Sequence, residues 1–179
     1  MRRGIVVLVA APITAMLIAC GVGSGAGTST GGGSADLPAA PARQQVSTVE
    51  FGQPLTLTQD LFGSRTVAQF TASGLAVGVK DKLMKPSHGQ FVTINVVVQL
   101  SEGKMSVTSM NFKLIGADGM AHNSSSLLDG KDLLVNDLAP GQKASGRVVF
   151  DVPAGAEKQA RIGLTNPLAD GDAGYWQLP

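Results

Sequence analysis

An all-β fold, an antiparallel β-sandwich, is what this sequence predicts, and three observations predict it. Apolar residues recur at every second position in several short runs, the period of a strand with one buried face. Glycine and proline turn signals separate those runs. No stretch between them carries a convincing amphipathic helical period.

The first segment stands apart from the domain. Arg2 and Arg3 form a positive start, and Gly4 to Ala19 is uncharged and mostly apolar, interrupted by Pro12. That run is short for a bilayer core, which needs ~20 residues, and it reads as an export signal over residues 1–19. It ends in Leu17-Ile18-Ala19-Cys20-Gly21, which resembles the bacterial lipobox. The resemblance implies cleavage before Cys20 and acylation of its sulfur. A plain secretory signal would explain the start but would make the one cysteine of the chain a coincidence. Several acyl chains anchor a protein stably where one is marginal, so the expected location is the cell membrane, facing its extracytoplasmic side.

Residues 20–45 follow as the lipidated Cys20 and a spacer. Seven glycines from Gly21 to Gly33 alternate with Ser24, Thr28, Ser29, Thr30 and valine or alanine, and Pro38-Ala39-Ala40-Pro41 comes next. Such a segment has too little apolar surface to offset its ordering entropy and reads as a tether. Its r.m.s. span is ~25–30 Å.

Residues 46–179 hold all the aromatics and suit one sandwich domain. In chain order, Leu55-Thr56-Leu57-Thr58 and residues 66–71 predict short strands, and Leu75, Val77 and Val79 predict another after a Ser73-Gly74 turn. The strongest signal is Gln90 to Leu100, where Val92, Ile94, Val96, Val98 and Leu100 share a face and β-branched residues dominate. Phe112 and Leu114 flank Lys113. Residues 120–138 fit either a helical turn or a crossing loop. Ala139-Pro140-Gly141-Gln142 fits a type II turn, with proline at the second and glycine at the third position. Val148, Phe150 and Val152, then Ile162 and Leu164, predict two more strands. The tail Tyr175-Trp176-Gln177-Leu178 predicts a last strand with one aromatic turned inward.

Three spans together resemble a known family: Gly89 to Val98, Asn111 to Gly119, and Leu138 to Gln142 running on to Gly146 to Pro153. They are similar to a bacterial extracellular domain-of-unknown-function family with an immunoglobulin-like sandwich, the fold of a mycobacterial secreted immunoprotective antigen. The resemblance implies an extracytoplasmic immunoglobulin-like domain, as a surface antigen would carry, and brings no catalytic residue set. Ser101 to Met105 departs from the pattern and predicts a longer or altered loop.

Charge and chemistry narrow the function further. The full chain has 14 basic and 13 acidic residues, a formal +1. Residues 46–179 hold 11 and 12. A near-neutral domain offers no electrostatic case for a nucleic-acid partner or for attraction to an acidic membrane surface. With Cys20 lipidated, no thiol nucleophile remains. Ser124, His122 and Asp118 make a triad only on paper, without a Gly-x-Ser-x-Gly elbow, so no catalytic residue and no cofactor is expected. A metal role has one candidate set: Met84, His88, Met120 and His122, whose thioether and imidazole donors suit Cu(I). Against it, the short motif is Met-x-His, and methionine fills core gaps routinely. The expected function is a non-catalytic, membrane-anchored interaction module, with Cu(I) or small-ligand carriage as the alternative. Its expected partners are the bilayer, through Cys20, and an envelope protein, host protein or wall polymer met by loops 81–90, 101–110 and 117–138.

Overall fold

The computed structural model describes residues 46–179, so the expected export signal, Cys20 and the expected tether lie outside the described residues. The described residues 46–179 form one compact unit with its own apolar core. Among the described residues the chain folds into eleven strands: β1 (Ser47–Glu50), β2 (Pro54–Leu61), β3 (Ser64–Val79), β4 (Gln90–Glu102), β5 (Met105–Thr108), β6 (Phe112–Ile115), β7 (Ala121–Ser125), β8 (Leu134–Leu138), β9 (Lys143–Val152), β10 (Arg161–Thr165) and β11 (Asp172–Gln177).

The strands run β1-β11-β10-β6-β7-β9-β4-β3-β2, with β5 and β8 paired separately as a ribbon. Strand β7 pairs with β6 through its first residues and with β9 through Ser124 and Ser125, so the sheet folds over at β7 into two layers. One layer is β1-β11-β10-β6 and the other β9-β4-β3-β2. Val92, Ile94, Val96, Val98 and Leu100 of β4 are completely buried, as their alternation requires, with Val148, Phe150 and Val152 of β9 beside them. Phe112 and Trp176 stack from the opposite layer at 6.4 Å between centroids. Trp176 is fully buried and donates its Nε1–H to the Gln53 carbonyl at 2.9 Å. An indole can be buried without loss only when its N–H finds such an acceptor. The tail therefore turns tryptophan inward, and Tyr175 lies on the other face.

Four segments differ from expectation. Ser73-Gly74 is not a turn between strands, because β3 continues through it. Gly74 (φ +64°) and Gly78 (φ +69°) sit at two steps in register against β4. Glycine accepts that left-handed backbone without a Cβ clash. The bulges split the expected alternation: Leu75 packs on the main core while Val79 packs with Phe91 on the outer face. Residues 105–108 are a strand, β5, with Met105 and Val107 buried, and not part of a loop. Residues 120–138 hold β7 and β8 at their two ends, and of the two expected alternatives the crossing loop, not the helical turn, lies between them. Finally, β1 joins β11 in parallel, an exception to the antiparallel rule.

Between β7 and β8 the chain forms a strap along the edge of β9. Leu133 N donates to Arg147 O at 2.8 Å, and Arg147 N to Lys131 O at 2.9 Å. The strap delivers Leu133 to the main core and Leu127 to an outer cluster with Phe91 and Val149. The Pro140-Gly141 turn forms as expected: Gln142 N donates to Ala139 O at 3.0 Å, and Gly141 has φ +83°.

Candidate functional site: the loop end of the sandwich

Strand register decides which loops meet. Gln90 pairs with Val152, Val79 with Phe91, and Ile115 with Arg161. The β3–β4 loop (80–89), the β6–β7 turn (116–120) and the β9–β10 loop (153–160) therefore share one end of the sandwich. All four residues of the predicted metal set lie there, but not in one cluster.

Met120 and His122 line a hollow of about 310 Å³ with Gly116, Asp118, Pro153 and Lys158. Met84 lines a second hollow of about 340 Å³ with Lys80, Asp81, Lys85 and Gln90. Met84 also packs against Phe91, Leu127 and Val149, the gap-filling use of a thioether. His88 lines neither hollow. Its Nδ1 is 3.4 Å from Asp151 Oδ2. Among the described residues, no three of His, Cys, Asp or Glu are grouped to hold a metal ion.

A ridge separates the hollows, built from Gly89 against the backbone of residues 152–154 and from Gln90, whose Nε2 donates to Glu157 Oε2 at 2.7 Å. Asp151 anchors it by accepting from Ser87 N (2.7 Å) and His88 N (3.0 Å). Burial opposes ionisation of Asp151, but those two donors and His88 overcome it and hold its carboxyl below the ordinary value. Other carboxylates at this end serve the same purpose. Asp81 Oδ1 accepts from Leu83 N and Met84 N at 2.8 Å each, and Asp118 Oδ1 accepts from Met120 N at 2.9 Å. Asp118 and His122, two members of the paper triad, line one hollow without a hydrogen bond between them, while Ser124 pairs with Phe150 on β9.

The lysines are in the opposite condition. Lys80, Lys82, Lys85 and Lys158 are exposed, and among the described residues their side chains make no hydrogen bond or ion pair. Leu83, between Lys82 and Lys85, is 83% exposed. The basic character of residues 80–85 is local, and the near-neutral total of the domain conceals it.

Two further charged groups are internal pins. Arg147 donates from Nη1 and Nη2 to Asp129 at 2.8 and 2.5 Å, and from Nη2 to Asp132 at 2.9 Å, fixing the strap. That guanidinium lowers the Asp129 carboxyl to about 2. On the outer face of the other layer, Lys113 Nζ lies 2.7 Å from Asp172 Oδ1, and the Tyr175 hydroxyl donates to Asp172 Oδ2 at 2.6 Å. Arg161 lies over the Tyr175 ring, 5.0 Å from its centroid. Of the other two expected contact loops, 101–110 is divided among the end of β4, β5 and a 3-10 turn at Ser109–Asn111, and 117–138 is mostly β7, strap and β8. No helix among the described residues is long and apolar enough to cross a membrane.

The chain is similar in fold to the secreted protein MPT63 of Mycobacterium tuberculosis: 20% identity, 74% of this chain and 98% of that one, TM-score 0.61. The yjhA protein of Bacillus subtilis is similar at 16% identity over 73% of this chain and 99% of that one, TM-score 0.57. A third match is ycdA of Bacillus subtilis, a candidate lipoprotein, at 21% identity and TM-score 0.50. It covers 65% of this chain and 34% of that one. These likenesses confirm the immunoglobulin-like sandwich that the sequence motifs predicted. No curated protein matches the chain. Residues 65–173, more than half of the sequence, match the domain of unknown function DUF4352, and the chain belongs to that family.

Proposed function

We propose that this protein is an extracytoplasmic lipoprotein, anchored through Cys20, whose immunoglobulin-like domain is a non-catalytic binding module working through its loop end. The observation that carries the binding role is the division of labour among charges there. Asp81, Asp118 and Asp151 each accept backbone N–H bonds that shape the loops, while four lysines and Leu83 face outward. A rigid sandwich presenting shaped loops is a standard platform for recognition. Support for the location comes from Leu17-Ile18-Ala19-Cys20 and from the fold relatives, one a secreted protein and one a candidate lipoprotein. An antigen role for this surface fits the same reading.

Carriage of Cu(I) by Met84, His88, Met120 and His122 is the weaker reading. It requires the ridge to be rearranged, because the donors are divided between two hollows and an Asp151 pair. The test of the main reading is Cys20→Ala in the native cell. The variant is expected to leave the membrane fraction or to accumulate unprocessed. A variant still processed, acylated and membrane-bound would overturn the anchoring site.

A further inference from the structure

We propose that the loop end docks on the surface of an anionic lipid bilayer, with Lys80, Lys82 and Lys85 facing headgroup phosphates and Leu83 entering the interface. This rests on the extracytoplasmic, tethered reading and names what the binding face meets.

Four observations carry it. Residues 80–85 contain three lysines and one aspartate, a local +2 in a domain whose 12 acidic residues outnumber its 11 basic ones. Asp81 does not pair with the lysines, since its Oδ1 is taken by Leu83 N and Met84 N. Those bonds hold the loop so that Met84 packs on Phe91, Leu127 and Val149 while Leu83 points to solvent, 83% exposed. A lone exposed leucine amid lysines suits a surface that is apolar inside and anionic outside. Lysine stems can lie along such an interface with their ammonium groups at phosphate level. An acidic protein would need an apolar pocket for the leucine placed beside its anions, whereas a bilayer offers both along its whole surface and lies within the tether's reach. Last, the tether reaches. A fully stretched chain of 25 residues, the length of segment 21–45, would reach ~85 Å, whereas the 16 residues of β3 span ~50 Å.

The experiment uses residues 20–179 coupled through Cys20, the only cysteine, to a maleimide lipid in vesicles. Coupling is chemical, so the result does not depend on whether the cell acylates Cys20. The readout is the rate at which a water-soluble amine reagent modifies each lysine. On phosphatidylglycerol–phosphatidylcholine vesicles, Lys80, Lys82 and Lys85 should be protected roughly threefold or more relative to pure phosphatidylcholine, an effect the tether's effective concentration makes visible. Lys104 and Lys143, at the opposite end, should be unchanged. Protection should vanish in about 1 M salt, where the Debye length falls to ~3 Å, and should drop with Leu83→Ala. Phe62→Ala alters a fully exposed residue at the tip of the β2–β3 hairpin, on the far end, and should change nothing.

Equal modification on both vesicle types would overturn the proposal, as would loss of protection with Phe62→Ala. So would protection by soluble polyphosphate that matches the vesicles and ignores Leu83→Ala, since the occupant would then be a phosphate polymer. A negative result here with membrane release of Cys20→Ala in cells would remove the docking surface and leave the anchor standing.

Discussion

Gly146→Ala tests the position of the strap most directly. Gly146 lies in β9 with its missing side chain facing Leu133, and an added Cβ would sit 2.8 Å from Leu133 N and 2.9 Å from Leu133 Cβ. Its φ is not in the left-handed region, so alanine is compatible with the backbone and crowding alone decides the outcome. The atoms in the way are mainly backbone, so the strap must retreat. Retreat strains Leu133 N→Arg147 O (2.8 Å) and Arg147 N→Lys131 O (2.9 Å). Overpacking costs ~1–3 kcal/mol, and weakening two hydrogen bonds adds up to ~1 kcal/mol each. Reduced unfolded-state entropy returns ~0.5–1 kcal/mol. With each term near the middle of its range the net loss is ~2 kcal/mol, or about 7 °C in Tm for a domain of this size.

Urea and thermal unfolding of residues 42–179, followed by the emission of buried Trp176, reads this directly. Gly155→Ala is the control. Its site is open, with φ +88°, so it should lose only the ~1 kcal/mol of a backbone penalty. A Gly146→Ala domain within about 2 °C of wild type, or a greater loss at Gly155, would show that the strap does not lie against β9 as described.

Two further outcomes follow from the charged groups. Because Arg147 lowers the Asp129 carboxyl from 3.8 to about 2, its stabilisation is complete above the unfolded value and disappears as pH falls through about 2. Asp129→Asn should therefore lower the urea midpoint at neutral pH and flatten its decline between pH 4 and 2; parallel curves for the two proteins would refute the pairing. For the weaker functional reading, Cu(I) titration of residues 42–179 should show no submicromolar site, and such a site abolished by both His88→Ala and His122→Ala would reverse the order of the two readings.

Legibility in the sequence followed the number of alternations a strand contains. From Gln90 to Glu102 the period repeats often enough to identify a strand unaided, and β9 is similar. β1, β5 and β8 have four or five residues each, too few for a period to emerge. Their existence is decided by partners distant in sequence: Gly174 to Gln177 for β1, and each other for β5 and β8. β7 is hidden for another reason. As the strand where the sheet folds over, its Ala-His-Asn-Ser-Ser contributes no buried residue, so it has no apolar face to read. At the candidate site, residue types were visible but their grouping was not. His88 and His122 reach the same end of the fold, yet the Gln90–Glu157 ridge between the hollows arises from a contact across 67 positions.

The near-neutral charge of the domain and the proposed docking face are compatible because the attraction needed is small. Three lysines at ~1 kcal/mol each near an anionic surface, with ~1 kcal/mol from partial burial of Leu83, amount to ~4 kcal/mol. That corresponds to a Kd of about 1 mM. A free domain would scarcely bind at that strength. A flexible tether raises the local concentration to the millimolar range, so the anchored domain would spend comparable time docked and undocked. Near such a midpoint, a change of ionic strength or of lipid charge shifts the balance most. Placing the lysines on one loop, with the aspartate beside them committed to the loop's own backbone, gives that response without a basic domain. On the proposed reading the anchor and the loop would act as one device, in which Cys20 would supply residence at the membrane and residues 80–85 would select the orientation presented to whatever lies beyond it.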